Sequence, residues 1–206
     1  HHGHVRLAEF VLGQGIVDHV LFLPAAQPPH KIAATAPFPH RVRMLETAVA
    51  GQPAMTVSLL ESRRHGPSYT VDSLKALQGE CSPNRLFFLL GADSLLELHQ
   101  WYRFAELFEL ADLVVVARSG LDDKRCFQAL EELPGHFVPD PEYRTWTRGD
   151  GAVIRYLSGF SSPVSSSEIR RQLVRGRRPQ GLDPAVLAYI QTHKLYGASG
   201  THALYS

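Results

Sequence analysis

The stretch RLFFLLGADS, residues 85–94, carries the clearest indication of the fold. Its apolar run at 86–90 has no polar interruption, which is typical of a strand that is buried on both faces of a sheet. Gly91, Ala92 and Asp93 follow directly, as expected where a strand ends and a helix begins. We therefore predict a central strand over residues 85–90.

Similar apolar runs recur on both sides of this strand. VDHVLFLPA at 17–25 and LVVVA at 113–117 predict two more buried strands, and residues 56–60 and 152–157 predict shorter ones. Helical spacing of apolar residues lies between the strands and after the last of them. The predicted helices are 4–14, 40–50, 68–79, 94–99, 104–111, 122–133, 165–175 and 183–193.

Strands that alternate with helices indicate an α/β fold with a parallel sheet. We predict one doubly wound, Rossmann-like domain over residues 1–160, in which residues 134–151 form a loop rich in proline, glycine and charge. A small helical part at 161–196 and a tail at 197–206 follow it.

Composition excludes several classes of protein. The 206 residues are 44% hydrophobic and 20% charged, which excludes a disordered chain. The net charge of +1 gives no overall attraction to nucleic acid or to an anionic membrane, and no apolar run is long enough to span a bilayer. Cys81 and Cys126 lack the paired spacing of a disulfide framework or a zinc cluster. We expect no nucleic-acid partner, no membrane partner and a cytoplasmic protein.

Three of the eleven histidines lie within the first four residues, HHGH. By themselves these residues are also typical of the remnant of a purification tag. The segment that follows has apolar residues spaced three and four positions apart, and Gly15 lies where a helix commonly ends. The histidines are therefore predicted to lie at the start of an amphipathic helix, where free N–H groups favour a phosphate.

Several polar motifs come directly after predicted strands. PPHK at 28–31 follows the strand at 17–25, Gly91-Ala92-Asp93 follows FFLL, and Arg118 follows LVVVA. Ligands of open parallel sheets bind beyond the carboxyl ends of the strands. Each motif alone is also consistent with an ordinary loop or turn, but their common position favours one binding site.

The helix at SSSEIR, residues 165–170, has two interpretations. Ser165 and Glu168 have the spacing of a capping box, which requires no function. Alternatively, the serines and the helix N-terminus bind phosphate oxygens, and Arg170 reaches back toward the same anion. No glycine-rich phosphate loop of either common type is present.

Taken in order, HxGH at 1–4, PPHK at 28–31, GPSYT at 66–70, GADSLLELHQWY at 91–102 and SSSEIR resemble the motifs of bacterial nicotinate-nucleotide adenylyltransferases. DPAVLAYIQTHKLY at 183–196 is similar to the final helix of that family. HxGH and the serine motif alone are shared by the wider HxGH nucleotidyltransferase superfamily. The family's opening strand and glycine-rich turn are absent here, so a first strand is expected upstream of residue 1. Ser167 stands where the serine motif usually has threonine.

This resemblance implies that the 5′-phosphate of nicotinate mononucleotide attacks the α-phosphorus of ATP, the co-substrate, and that pyrophosphate leaves. The implied catalytic residues are His4, His1, Arg170 and Lys31. The residues implied to bind ATP are His1, His4, His30, Lys31, Gly91, Asp93, Ser165, Ser166, Ser167 and Arg170. Mg²⁺ is implied as a cofactor that the substrate phosphates hold, without protein ligands.

The second substrate, nicotinate mononucleotide, requires a site for a flat, anionic pyridine ring. By resemblance, Trp101 stacks on the ring while Tyr69, Thr70 and Tyr102 surround it, and Arg118 is a further contact. A partly buried core aromatic is the alternative for Trp101, and a solvated strand-end arginine for Arg118.

Two other functions stay open at this point. One is another HxGH enzyme, such as a pantetheine-phosphate adenylyltransferase or a cytidylyltransferase. The other is a non-catalytic, histidine-rich module that binds metal or nucleotide, although the histidines lack ligand spacing. The sequence also leaves open the oligomeric state and the preference between nicotinate and nicotinamide mononucleotide.

Overall fold

The computed structural model describes residues 1–29, 36–82, 84–118 and 122–197. Arg118 is described by its backbone alone. The chain divides into two compact units, of which the first combines His1–Pro67 with Ser162–Ser206 and the second is Ser68–Ser161. The predicted boundaries at 160 and 196 stay predictions.

The first unit contains four helices and two short strands among its described residues. Its elements are α1 (His2–Gly13), β1 (Val20–Phe22), α2 (Phe38–Val49), β2 (Met55–Val57), α7 (Ser166–Val174) and α8 (Pro184–Thr192). The strands β1 and β2 are parallel, with Val20 opposite Met55. A 3₁₀ turn at Leu195–Gly197 follows α8.

Two apolar clusters hold the first unit together. Ala8, Val49 and Met55 pack α1 and α2 against the strand pair. Ile169 and Val186 belong to a second cluster, which joins α7 and α8 and also contacts α2. Helix α2 therefore contributes to both clusters, as expected for a helix whose apolar residues occupy a broad stripe.

The second unit is built on a five-stranded sheet in the order β3-β4-β7-β6-β5. Its elements are α3 (Thr70–Cys81), β3 (Phe87–Gly91), α4 (Ala92–Leu96), α5 (Leu107–Leu110), β4 (Asp112–Arg118), α6 (Asp123–Glu131), β5 (Val138–Pro139), β6 (Thr145–Thr147) and β7 (Val153–Phe160). Strands β3, β4 and β7 are parallel. The predicted α/β class is confirmed, and RLFFLL indeed leads into a strand of this sheet.

The prediction of a plain loop over residues 134–151 is wrong. Strand β6 pairs antiparallel with both β5 and β7, so that this segment extends the sheet. The two added strands have only two and three residues, which is too short for an alternating pattern to be detected. Trp146 on β6 is fully buried and provides the apolar anchor of the segment.

None of the helices within the described ranges has the length and the apolar character that crossing a bilayer requires. The parallel register places Gly91 at the end of β3 opposite Val116 of β4. Asp93, just after β3, and the backbone of Arg118, at the end of β4, therefore lie at the same edge of the sheet, as the sequence predicts.

Candidate active site

The HxGH histidines form a stacked pair on the first turn of α1. His1 precedes the helix and His4 lies within it, and their ring centroids are 3.9 Å apart with an interplanar angle of 13°. The spacing of three residues places both on one face of the helix. The predicted position of the cluster, at the start of this helix, is therefore confirmed.

Gly3 makes this stacking possible. A Cβ atom at this position would lie 3.0 Å from the His1 ring and 3.1 Å from Ser162 Oγ. The His1 ring occupies the space that a side chain at residue 3 would need, so that any larger residue would displace it. The glycine of the motif is thus explained by close packing of the ring over the backbone.

His1 connects this first helix to α7. Its Nε2 forms a 2.8 Å hydrogen bond with Ser166 Oγ. Its Nδ1 and the hydroxyl of Ser162 are buried and lack a hydrogen-bond partner among the residues that the structure describes. Buried polar atoms normally have a hydrogen-bond partner, so these two atoms are exceptions within the described residues.

The serine motif is only partly a capping box. Ser165 is the N-cap residue of α7, as predicted, but its side chain makes no capping hydrogen bond. Because the first N–H groups of a helix have no intrahelical partner, the N-terminus of α7 stays available to an anion. Arg170 reaches back one turn, as predicted, and its Nη2 lies 3.4 Å from Ser167 Oγ.

A cavity of about 250 Å³ brings these groups together in the first unit. His1, His4, Ser166 and Arg170 supply polar walls. Further lining residues, none of which was predicted as a site residue, are Pro24, Arg41, Met44, Leu45, Ile169, Leu182, Val186, Ile190 and Tyr196. The cavity therefore combines hydrogen-bonding groups with an apolar wall, as small-ligand sites commonly do.

Among the lining residues that were not predicted, Arg41 is the one with a charged side chain. It lies one residue before Val42, which begins the apolar face of α2, and by pattern alone it is indistinguishable from a surface arginine. Only the packing of α2 brings it to the cavity wall. Burial lowers the pKa of its guanidinium below the usual value.

The predicted ring-binding residues lie in the second unit. Tyr69 is the N-cap of α3, directly before Thr70, and its ring lies 4.4 Å from that of Tyr102. Trp101 is half-buried and meets Phe88 edge-on, with ring centroids 6.1 Å apart. The second unit therefore contains two aromatic pairs, Tyr69–Tyr102 and Phe88–Trp101, which include the predicted ring-binding residues.

Gly91 and Asp93 meet directly at the end of β3. A Cβ atom at Gly91 would collide with the carboxylate of Asp93, so the glycine makes room for this side chain. Asp93 itself is exposed in the first turn of α4. His30, Lys31 and the side chain of Arg118 lie outside the described residues, and their predicted roles stay predictions.

Comparison with known proteins agrees with these motifs. A sequence family described as cytidylyltransferase-like matches residues 1–172. A probable nicotinate-nucleotide adenylyltransferase of Gloeobacter violaceus is 38% identical over 95% of this chain and 90% of its own. Another, from Geobacter sulfurreducens, is 36% identical over 97% of this chain and 94% of its own.

Solved structures show a similar fold. The nicotinic acid mononucleotide adenylyltransferase of Plasmodium falciparum, in a complex with NaAD, superposes with a TM-score of 0.70 at 17% identity. The alignment covers 95% of this chain and 91% of that one. A second structure of that enzyme, complexed with APC, has a TM-score of 0.67 at 16% identity and covers 95% and 90% of the two chains. This similarity supports the predicted Rossmann-like fold.

Proposed function

Because the chain belongs to the nicotinate-nucleotide adenylyltransferase family, we propose that it transfers the adenylyl group of ATP to nicotinate mononucleotide. The products are nicotinate adenine dinucleotide, a precursor of NAD, and pyrophosphate. The observation that carries this proposal is the cavity in which His1, His4, Ser166 and Arg170 converge. A cytoplasmic location, where both substrates are metabolites, is part of the proposal.

The reaction requires positioning and charge stabilisation more than a nucleophilic side chain. A phosphate oxygen of the mononucleotide forms a bond to the α-phosphorus of ATP while the bond from that phosphorus to the bridging oxygen of pyrophosphate breaks. Both the attacking group and the leaving group are anionic, so catalysis depends on donors placed around the phosphates.

The histidine pair suits the α-phosphate. Its rings are held in place by stacking and by the hydrogen bond from His1 to Ser166. An imidazole N–H can donate a hydrogen bond, so the pair acts by donating hydrogen bonds to the charge that develops on the phosphate oxygens.

The start of α7 suits the leaving pyrophosphate. Ser165, Ser166 and Ser167 contribute hydroxyl and N–H donors at a helix N-terminus, where the helix dipole favours negative charge. Arg170 contributes a permanent positive charge beside Ser167. His30 and Lys31 complete the proposed phosphate contacts from the PPHK motif, and Gly91 and Asp93 remain our candidates for the adenosine.

Mg²⁺ enters this proposal as the counter-ion of the ATP phosphates. Mg²⁺ usually keeps several waters and binds through substrate phosphates, so it needs no dedicated set of carboxylates. The described part of the chain has no group of three or more potential metal-ligating side chains. When bound, the ion would supply charge neutralisation on the phosphate oxygens.

The proposed site for the pyridine ring is formed by aromatic side chains of the second unit. Trp101 provides a half-buried flat surface, and the tyrosine pair Tyr69–Tyr102 provides further aromatic surface and hydroxyl groups. Thr70 supplies a hydroxyl at the N-terminus of α3, where the helix dipole favours a carboxylate. Arg118 stays a candidate contact for the mononucleotide phosphate.

The direct test is product formation by the full-length protein. With ATP, Mg²⁺ and nicotinate mononucleotide, we expect nicotinate adenine dinucleotide and pyrophosphate in equal amounts, measured by chromatography and a pyrophosphate assay. Parallel reactions with CTP and with nicotinamide mononucleotide define the specificity. Absence of the dinucleotide, or faster transfer from CTP than from ATP, would contradict the proposal.

Replacing Trp101 by alanine tests the pyridine site. Loss of ring stacking is worth about 1–3 kcal/mol, so we expect the KM for nicotinate mononucleotide to rise by about tenfold while the KM for ATP stays near that of the parent. Trp101→Phe keeps a flat ring, so its KM for nicotinate mononucleotide is expected to lie between those of the parent and of Trp101→Ala. Equal increases in both KM values would remove Trp101 from the pyridine site.

A further inference from the structure

Arg41 lines the proposed nucleotide cavity but belongs to none of the sequence motifs. It lies in the first half of α2, is half-buried, and shares the cavity with His1, His4 and Arg170. The question is whether its charge serves the fold or a ligand. Four properties of its surroundings decide this.

Two backbone carbonyls hold the guanidinium in place. Arg41 Nε donates to the Ala36 carbonyl at 3.0 Å, and Nη2 donates to the Ala26 carbonyl at 3.4 Å. The guanidinium carbon also lies 5.4 Å from the centre of the Phe38 ring. The planar fork is therefore oriented before any ligand binds, which reduces the entropy that binding would cost.

The charge of Arg41 is not neutralised by the protein as far as the structure describes it. Within the described ranges no carboxylate forms an ion pair with Arg41, whereas Arg64 pairs with Glu61 at 2.8 Å and the exposed Arg43 pairs with Glu46 at 3.3 Å. Buried charges are normally paired. Burial lowers the pKa of Arg41, and its interaction with Tyr196 offsets this only in part.

Most hydrogen-bonding capacity of the fork is also unused. A guanidinium has five N–H groups, and two of those in Arg41 bond to the carbonyls, so that three have no partner in the described part of the chain. Arg170, on the wall of the same cavity, bonds to the neutral hydroxyl of Ser167. Two cations thus share one cavity.

Tyr196 lies close enough to affect both cations electrostatically. Burial raises the pKa of its hydroxyl, while Arg41 and Arg170 lower it to a smaller extent. The phenol therefore stays neutral at physiological pH and cannot neutralise either guanidinium. Within the described residues, no negative charge therefore faces the two guanidinium groups, and an anionic ligand would supply one.

We propose that Arg41 binds a phosphate group of the nucleotide together with Arg170, as a further binding residue of this cavity. The proposal rests on the proposed function, because it names an additional residue for the same nucleotide site. Because hydrogen bonds to a charged group are strong, losing them is expected to lower the affinity by about tenfold or more.

Equilibrium binding by the full-length protein tests this role with three probes, namely ATP, inorganic pyrophosphate and adenosine. In Arg41→Gln we expect the affinities for ATP and pyrophosphate to fall by about tenfold or more, and the affinity for adenosine to stay that of the parent. Arg43→Gln on the same helix is the matched control, since Arg43 is exposed and paired with Glu46. It is expected to bind all three probes normally.

Two outcomes would overturn the proposal. Equal losses for ATP and adenosine would mean that Arg41 only maintains the fold, and unchanged affinity for ATP would mean that it does not reach the phosphates. If Arg41→Gln fails to fold, Arg41→Lys replaces it, since lysine keeps the charge but not the fork, and a selective loss for ATP and pyrophosphate is again expected. Binding by a parent protein that forms no dinucleotide would contradict the proposed reaction and leave the role of Arg41 intact.

Discussion

Replacement of His4 by alanine is expected to lower kcat/KM for dinucleotide formation by about 100- to 1,000-fold. His4 lines the cavity and stacks on His1, so its loss removes one donor and also the surface that orients the other ring. A donor placed where charge develops in the transition state contributes about 2.7–4 kcal/mol to the lowering of the barrier. Steady-state kinetics with ATP and nicotinate mononucleotide measure the effect.

The neighbouring histidine provides the control for this experiment. His2 lies on the same helical turn, and its backbone N–H donates to the Gly181 carbonyl, a bond that alanine keeps. His2→Ala should therefore retain the rate of the parent. A His4→Ala variant as fast as the parent would refute the role of the histidine pair. A smaller kcat with an unchanged KM for ATP would indicate that His4 acts mainly in the transition state.

Replacement of Trp146 by alanine is expected to reduce the free energy of unfolding by about 3–5 kcal/mol. Trp146 is fully buried on β6, with its ring centroid 5.4 Å from that of Phe127 and 6.2 Å from that of Tyr156. Alanine would leave a large cavity among these rings, which the short strands β5 and β6 cannot close. Urea denaturation followed by circular dichroism measures the change.

Trp146→Phe separates packing from hydrogen bonding. The indole Nε1 is buried and has no hydrogen-bond partner among the described residues, so phenylalanine loses ring volume but no hydrogen bond. We therefore expect a clearly smaller loss than for alanine. An equal loss in both variants would show that the indole N–H, rather than the ring, stabilises this part of the sheet.

The sequence predicted those features that depend on long, uniform patterns. The apolar run at 86–90 predicted β3, and the spacing of apolar residues after HHGH predicted α1. Both patterns extend over several residues that share one environment. The antiparallel strand β6 was missed, since three residues around one tryptophan carry no periodicity. Its strand character comes from pairing with β7, which a local pattern does not contain.

The candidate site was predictable where a motif carried it and not where packing did. His1, His4, Ser166 and Arg170 follow from HxGH and SSSEIR, and they line one cavity. Arg41 was not predicted as a site residue, because the pattern around it, with Val42 and Arg43, indicates only an apolar and a polar face of a helix. Its chemistry arises from the carbonyls of Ala26 and Ala36 and from the lack of an acidic partner in the described ranges, and both are tertiary properties.

The discontinuous first unit has a consequence for the order in which the protein folds on the ribosome. Residues 68–161 of the second unit are contiguous, so this unit has all its contacts as soon as they have emerged. Helix α2 emerges much earlier than α7 and α8, which cover its second apolar cluster. The part of its apolar face that this cluster covers therefore stays uncovered until α7 and α8 have emerged. His1 and Ser166 can meet only after the second unit has emerged, so the proposed phosphate site forms after that unit.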